Sequence, residues 1–482
     1  MIRVAWFSPI AENNMLRSAA FTRRVLEKLG LHFDVELFID DSDWSQLLID
    51  GKLTPIMGVS VFPYQVAFLR NEIEPFDAFV YHMEDAPECA FVKTMLAMWP
   101  GIVFFHDLAF NSLELALLGH ATTETALNAK MVEMFGDNAP RLGDWQARGW
   151  PIEVFSSCYP MGWEQIKSAE VLVLSSEAAL RAIANCNLST KTETCAVPVD
   201  VIKDGFVRMS RRRHRRSLDI SSEAFMVGFQ GTHKVRDRIH AALEGFALFK
   251  REVIAASDSE TDNEKNALWF LWIVGSAEEE RDAEDLVESK ARIYPELQTG
   301  VIIATADLDA TVLSLLSAVD VMLAMSFSPL SPAVPLVAYE AFARGILAIL
   351  SDDRAAAEIP TACALRVQLG KGEREMLAAT LRELYLNEGL RDALRENARA
   401  YIDMACASDC VSLDVRAIIE EHRGSLVQKR AERQADMDVL RKDLIYALKQ
   451  RHVEHELAVV DFGQEMRERN SRLVDETLGS LL

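Results

Sequence analysis

The 482-residue chain carries 51 Lys and Arg against 73 Asp and Glu, a formal net charge of −22, and half of its residues are apolar. That length supports two or three domains with a sizeable core. The charge argues against a nucleic-acid partner, because phosphates would be repelled unless one face were locally basic. Seven cysteines (89, 158, 186, 195, 363, 406 and 410) form no CxxC pair, which argues against a zinc ribbon or redox motif and points to free thiols in a reducing compartment.

The N-terminal MIRVAWFSPI has a short apolar run and then polar residues, so it reads as a first β-strand rather than a signal peptide. No apolar run reaches the roughly 18 residues that would span a bilayer. The expected location is cytoplasmic.

Taken in chain order, short β-branched or aromatic runs alternate with amphipathic stretches. Strands are predicted at 2–7, 34–38, 78–81, 102–105 and 171–175, and a second series at 225–229, 269–274, 301–304, 321–324 and 347–350. The runs are continuous rather than alternating, as for parallel strands covered on both faces. Helical stretches such as NNMLRSAAFTRRVLEKLG separate them, which indicates an α/β protein. Two series predict two Rossmann-like domains, at 1–209 and 224–405.

Between the two series stands SRRRHRRSLDISSE, residues 210–223. It reads either as a solvated interdomain linker or as a patch for phosphate or an anionic membrane surface, which leaves room for peripheral membrane contact. Beyond Gly372 the pattern is almost wholly helical. The last segment, 425–482, mixes charges around one narrow apolar stripe (Met437, Leu440, Leu444, Leu448, Val453, Leu457, Val460). Such a helical extension, in part coiled-coil-like, needs a partner helix from another subunit or another protein.

Ligands of open parallel sheets bind beyond the carboxyl ends of the strands. Residues at those ends are His106 and Asp107 after IVFF, Pro9 and Asn13 after the first strand, and Glu84 after the third. In the second series Gly231, Thr232 and Lys234 form a strand-to-helix turn suited to an anion. Ser331-Pro332 reads as a helix start whose amides face the same rim. Glu340 lies on that apolar helix, where a buried carboxylate needs donors; either an arginine or the hydroxyls of a ribose would supply them.

The order of these pieces resembles the family 4 retaining glycosyltransferases of the GT-B fold. The matching segments are SPIAEN, WPGIVFFHDLAFN, AEVLVLSSEAALR, VGFQGTHKVRDRIHAALEGF, LWIVGSAEE, LLSAVDVMLAMSFSP and VAYEAFARGILAILSD, with closing helices up to about residue 422. The resemblance implies two Rossmann-like domains facing across a cleft, an N-terminal acceptor domain and a C-terminal donor domain, with a closing helix at 406–424 that returns to the first domain. It implies transfer of a sugar from a UDP-, GDP- or dTDP-sugar to a protein or envelope glycan, with retention and without a metal or other cofactor. His106 would then lie near the transferred sugar, Lys234 on the donor diphosphate, and Glu340 on the nucleotide ribose as the second glutamate of an E-x7-E element. The first glutamate of that element is replaced by Ser331-Pro332-Ala333, the arginine before the lysine by Phe229, and the first loop lacks glycines. Two readings therefore stand side by side: an active glycosyltransferase, and a glycosyltransferase-like scaffold that works through its C-terminal helix. An insert at 112–165 carries Trp145, Trp150 and Trp163, for sugar stacking or for core packing.

Overall fold

The computed structural model describes residues 1–10, 16–50, 56–118, 123–136, 158–162, 169–184, 190–232, 237–256, 267–306, 309–326, 336–353 and 356–423, with isolated positions 139, 141, 144 and 156. Residues Met1–Arg423 form one compact unit. The 425–482 extension, the three insert tryptophans, Asn13, Lys234 and the helix start expected at Ser331-Pro332 lie outside the described residues.

All ten predicted strands form. They fall into two wholly parallel sheets. The first is ordered β3-β2-β1-β4-β5-β6-β7 and the second β10-β9-β8-β11-β12-β13. The N-terminal sheet comprises β1 (Arg3–Phe7), β2 (Asp34–Ile39), β3 (Ser60–Pro63), β4 (Ala78–Met83), β5 (Ile102–Phe105), β6 (Val171–Leu174) and β7 (Lys191–Thr194). The second comprises β8 (Phe225–Gln230), β9 (Leu268–Val274), β10 (Val301–Thr305), β11 (Val321–Ala324), β12 (Leu347–Ser351) and β13 (Leu365–Val367). In each sheet the chain reverses direction of travel beside the first strand, at β1/β4 and at β8/β11. That is where a doubly wound sheet opens a crevice. Central strands are buried along their length, β1 and β5 completely, which is why they read as unbroken apolar runs.

The three strands absent from the sequence reading, β3, β7 and β13, are short and lie at sheet edges. Their sequences, SVFP, KTET and LRV, carry polar groups or proline where one side faces solvent. Edge strands need no continuous apolar face, so hydrophobic patterning does not reveal them.

Two helices matter most for the site. The first, Arg17–Leu29, follows β1 and buries Ala19, Phe21, Val25 and Leu26 against the N-terminal sheet. The second, Leu336–Ala343, carries Glu340. It ends in a Schellman cap, in which Gly345 donates to the Phe342 carbonyl and Ile346 to the Ala341 carbonyl. Gly345 sits at φ +66°, a left-handed conformation that glycine adopts without a Cβ penalty. Behind this layer, Gly245 lets the helix Ile239–Ala255 close onto Glu373–Leu386; a Cβ there would come within 2.6 Å of Leu377 Cδ2.

Two stretches join the lobes and hydrogen-bond to each other. Val199 donates to the Cys406 carbonyl at 2.8 Å, and Ser408 donates to the Val199 carbonyl at 3.1 Å. The helix at 408–423 then meets N-terminal residues through Lys28–Asp409 and Lys191–Glu421.

The arginine-rich stretch is not extended. It is part of a helix, Asp204–Ser217, that begins before residue 210. One side is docked on the second lobe. Arg215, buried, donates Nη2 to Asp320 Oδ2 at 2.6 Å, Nε to the Ala318 carbonyl at 2.9 Å, and Nη1 to the Ser222 and Ala224 carbonyls at 2.8 Å. Arg211 pairs with the same aspartate. His214 shares hydrogen bonds with Ser210 and Ser314.

Candidate functional site

The carboxyl ends of β1, β4 and β5 converge as expected. His106 follows β5, is almost fully buried, and places Nε2 3.0 Å from Nδ1 of His82 on β4. One of these two nitrogens donates and the other accepts. His82 packs against both Trp6 and Phe104, with ring centroids 4.8 and 4.7 Å away. Burial and the neighbouring His106 hold its pKa well below the usual histidine range. Burial, with help from the Arg17 charge, lowers His106 to about 4, against the opposing pull of Glu84 and Asp107. At neutral pH both rings are uncharged, so His106 offers a hydrogen bond and no positive charge.

Around them runs a carboxylate–guanidinium network. Arg17, at the start of the first helix, donates to Asp107 Oδ1 at 2.5 Å and to Glu84 Oε1 at 3.2 Å. Glu84 Oε2 also accepts from the Ser18 amide and hydroxyl, both at 3.0 Å, and so caps the helix N-terminus with negative charge. Asp107 Oδ2 accepts from the Asp85 amide. Burial works against the Arg17 charge, yet Asp107 and Glu84 raise its pKa. The expected residues His106, Asp107 and Glu84 are thus brought together. Pro9 stands at the same rim, where the Ser8 hydroxyl donates to its carbonyl.

Asp85, beside this network, has its pKa pushed up to about 6, first by burial and then by Asp107, against the lowering effect of the Leu113 amide it accepts from. The folded pKa lies above the unfolded one. Ionisation therefore costs nothing below the ordinary aspartate range and its full amount above about pH 6. Asp85→Asn keeps the acceptor for Leu113 and removes that cost. It is expected to stabilise the protein by about 1–3 kcal/mol at pH 7–8. Denaturant titrations across pH should show the gain shrinking as pH falls from 6 towards 4, and a gain independent of pH would refute it.

In the second lobe, β8 ends at Gln230 and turns through Gly231 and Thr232. The Gly231 carbonyl accepts from Trp272 Nε1 at 2.8 Å. The Thr232 amide and hydroxyl both donate to Asp237 Oδ2, at 2.8 and 2.7 Å. Arg238, at φ +60° before the helix Ile239–Ala255, pairs with Glu373.

Glu340 is buried, and its two oxygens take different arginines. Oε2 accepts from Arg344 Nη1 at 2.5 Å, one turn on along the same helical stretch. Oε1 accepts from Arg24 Nη2, which comes from the other lobe. Arg24 also donates to the Pro198 carbonyl at 2.9 Å and lies 3.5 Å from Asp200. Of the two donor sets open at the sequence level, arginine is the one the fold supplies. The first helix therefore serves both lobes: Arg17 reaches the histidine-side carboxylates, and Arg24, seven residues or about 10 Å further along, reaches Glu340. Sequence reasoning missed both arginines. The heptad spacing of Arg17 and Arg24 was visible, as was Arg344 four residues after Glu340.

Among the described residues Glu193, Glu421 and His422 are the one group whose ligand atoms approach closely enough to hold a cation. They stand away from β1, β4 and β5, at the junction of β7 and the 408–423 helix.

Residues 210–401 match the family described as Glycosyl transferases group 1, so the second lobe is a domain of that family. Among solved structures, HepE of Anabaena in complex with UDP and glucose is similar over 87% of this chain and 100% of its own, at 13% identity and a TM-score of 0.54. Sucrose-phosphate synthase of Thermosynechococcus elongatus is similar over 88% and 100%, at 13% identity and 0.53. A glycosyltransferase of Rickettsia africae is similar over 87% and 98%, at 11% identity and 0.54. No curated protein matches the chain. The architecture is GT-B-like, and the match to the glycosyltransferase family lies in the second lobe.

Proposed function

We propose that the protein is an active retaining glycosyltransferase. It moves a hexose from a nucleoside diphosphate sugar, in the first place UDP-glucose, to a protein or cell-envelope glycan, and needs no metal. The observation that carries this reading is the buried, uncharged His106, bonded to His82 and set beside the Arg17–Glu84–Asp107 network at the carboxyl rim of the sheet, in a chain with a Glycosyl transferases group 1 domain. HepE of Anabaena is known in complex with UDP-glucose, which supports the choice of donor.

In this reading His106 hydrogen-bonds the transferred sugar and orients it. Lys234, with the backbone amides of the helix start expected at Ser331, stabilises the charge that develops on the leaving diphosphate; the Gly231 and Thr232 amides are taken up within the lobe by the Ile273 carbonyl and Asp237. Glu340, steadied by Arg24 and Arg344, accepts from the ribose hydroxyls through its remaining lone pairs. Closure of the lobes excludes water, which competes as acceptor. Asp107 acts with His106 on the catalytic side, and Glu84, Pro9 and Asn13 shape the acceptor side.

UDP, GDP, dTDP and their glucose conjugates should be compared by thermal shift and by isothermal titration. The expected result is stabilisation by UDP and UDP-glucose. Lys234→Ala should weaken binding about 10–100-fold, the worth of a charge-assisted hydrogen bond to phosphate. His106→Ala should spare UDP binding and abolish release of glucose from UDP-glucose. A protein that responds to none of the nucleotides would overturn the reading.

That outcome would favour the second one, a scaffold that has lost turnover. The specific observation on its side is that both oxygens of Glu340 are already engaged by arginines, in a chain that has Pro332 in the region of the first E-x7-E glutamate.

A further inference from the structure

The helix Asp204–Ser217 has a second face, and the proposed sugar transfer makes no use of it. With Arg211, His214 and Arg215 turned to the lobe, Gly205, Phe206, Arg208, Met209, Arg212, Arg213 and Arg216 are left exposed. Positions 205, 208, 209, 212, 213 and 216 recur at three- and four-residue spacing and form one stripe along the helix. Arg208, Met209, Arg212, Arg213 and Arg216 line an open surface hollow with Gly205. The four arginines form no ion pair among the described residues. No acidic residue stands between Gly205 and Ser217. Phe206 and Met209, each 62% exposed, project from the first turns beside the guanidinium groups.

We infer that this face docks the protein on an anionic lipid surface. Four unpaired arginines in a chain of net charge −22 identify a polyanion as the occupant. The adjacent phenylalanine and methionine discriminate between polyanions: a lipid interface takes an aromatic ring and a thioether below the headgroups while arginines hold the phosphates above. The acidic remainder of the molecule does not cancel the attraction, because beyond about 8 Å at physiological ionic strength its charges are screened and the surface patch decides. The chain's own 425–482 segment is a poor complement, since its Lys and Arg nearly balance its Asp and Glu. The arginines facing inward anchor the helix on the lobe, so the outward ones stand on a backbone that is already folded and only their side chains remain to be ordered. This inference is independent of which sugar, if any, is transferred.

The test is sedimentation of the full chain with vesicles of phosphatidylcholine alone and of phosphatidylcholine mixed three to one with phosphatidylglycerol. Binding is expected to the anionic vesicles and to fall with added salt. Reversal of three charges (Arg208→Glu, Arg212→Glu, Arg213→Glu) should lower the partition coefficient about 100-fold or more, from roughly fivefold per basic residue. Phe206→Ala with Met209→Ala should lower it severalfold and leave its salt dependence intact. The corresponding triple lysine variant should bind within about threefold of the wild type, which separates charge from any effect on folding. Equal binding to both vesicle types, or anionic binding that survives the triple reversal, would overturn the inference. So would arginine-dependent capture of single-stranded RNA, or self-association, without binding to vesicles.

Discussion

Replacing Glu340 by alanine is expected to lower the unfolding free energy by about 3–5 kcal/mol, the usual consequence of removing one partner from a buried ion pair. Glu340 is 4% exposed and Arg344 likewise, and Arg24 is nearly as covered. Without the carboxylate, two guanidinium groups remain out of water. Among the described residues Arg344 retains the carbonyl of residue 340, at 3.0 Å, and Arg24 the Pro198 carbonyl and the exposed Asp200 at 3.5 Å. Arg24→Met should recover part of the loss in the Glu340→Ala background, because it removes one of the stranded charges. The coupling between the two positions, read from a double-mutant cycle in denaturant titrations, should exceed about 1 kcal/mol. A loss below about 1 kcal/mol for Glu340→Ala would mean that the arginines find water and that the cluster is not the buried centre described. The same logic governs ligand-binding experiments: Glu340→Gln, which keeps an acceptor for one arginine, is the better probe of ribose recognition.

The second large effect is expected at Asp320. This residue, 7% exposed, accepts from Arg215 and Arg211 and from the Met226 amide at 2.8 Å. Arg215 is among the largest fully covered side chains in the protein. Burial pulls its pKa down, offset in part by Asp320. Asp320→Ala should cost about 3–5 kcal/mol, since it leaves a buried cation and an unsatisfied amide. Arg212→Ala, a few residues away on the exposed side of the same helix, should change stability by no more than about 0.5 kcal/mol. Paired thermal and chemical denaturation of the two variants checks the contrast. Similar values for both would mean that the helix is not docked through its arginines.

These two clusters show where the sequence was legible and where it was not. Nine of the ten predicted strands are interior, and they announced themselves because a parallel strand covered on both faces is apolar along its length; the tenth, β10, is an edge strand whose VIIAT sequence is apolar all the same. The helix caps at Ser176, Ser276 and Asn387 follow the usual chemistry, with the side chain accepting from an amide three residues on. The arginines were not legible. Hydrophobic patterning assigns a charged residue to the solvent side, yet Arg211 and Arg215 form the inward face of their helix, where strand-end carbonyls and Asp320 offer acceptors that no local pattern encodes. Arg17 and Arg24 escaped for the same reason. Their partners, Glu84, Asp107 and Glu340, lie 67, 90 and 316 positions away in the chain. Glu340 itself was correctly marked as a carboxylate in need of donors, and only the fold could show that arginine provides them.

The pairing of Val199 with residues 406–408 has a mechanical meaning. The polypeptide passes between the lobes at two places, and these places are laced together side by side, with the Ser408 hydroxyl also donating to Asp200 at 2.8 Å. Two crossings set far apart would brace the halves against rotation; two joined crossings make a single axle. Arg24 grips the carbonyl of Pro198 at that axle and Glu340 just across from it. A swing of one half over the other would thus turn about a line where the ionic cluster moves least, so the mouth could gape while its pivot stays fastened.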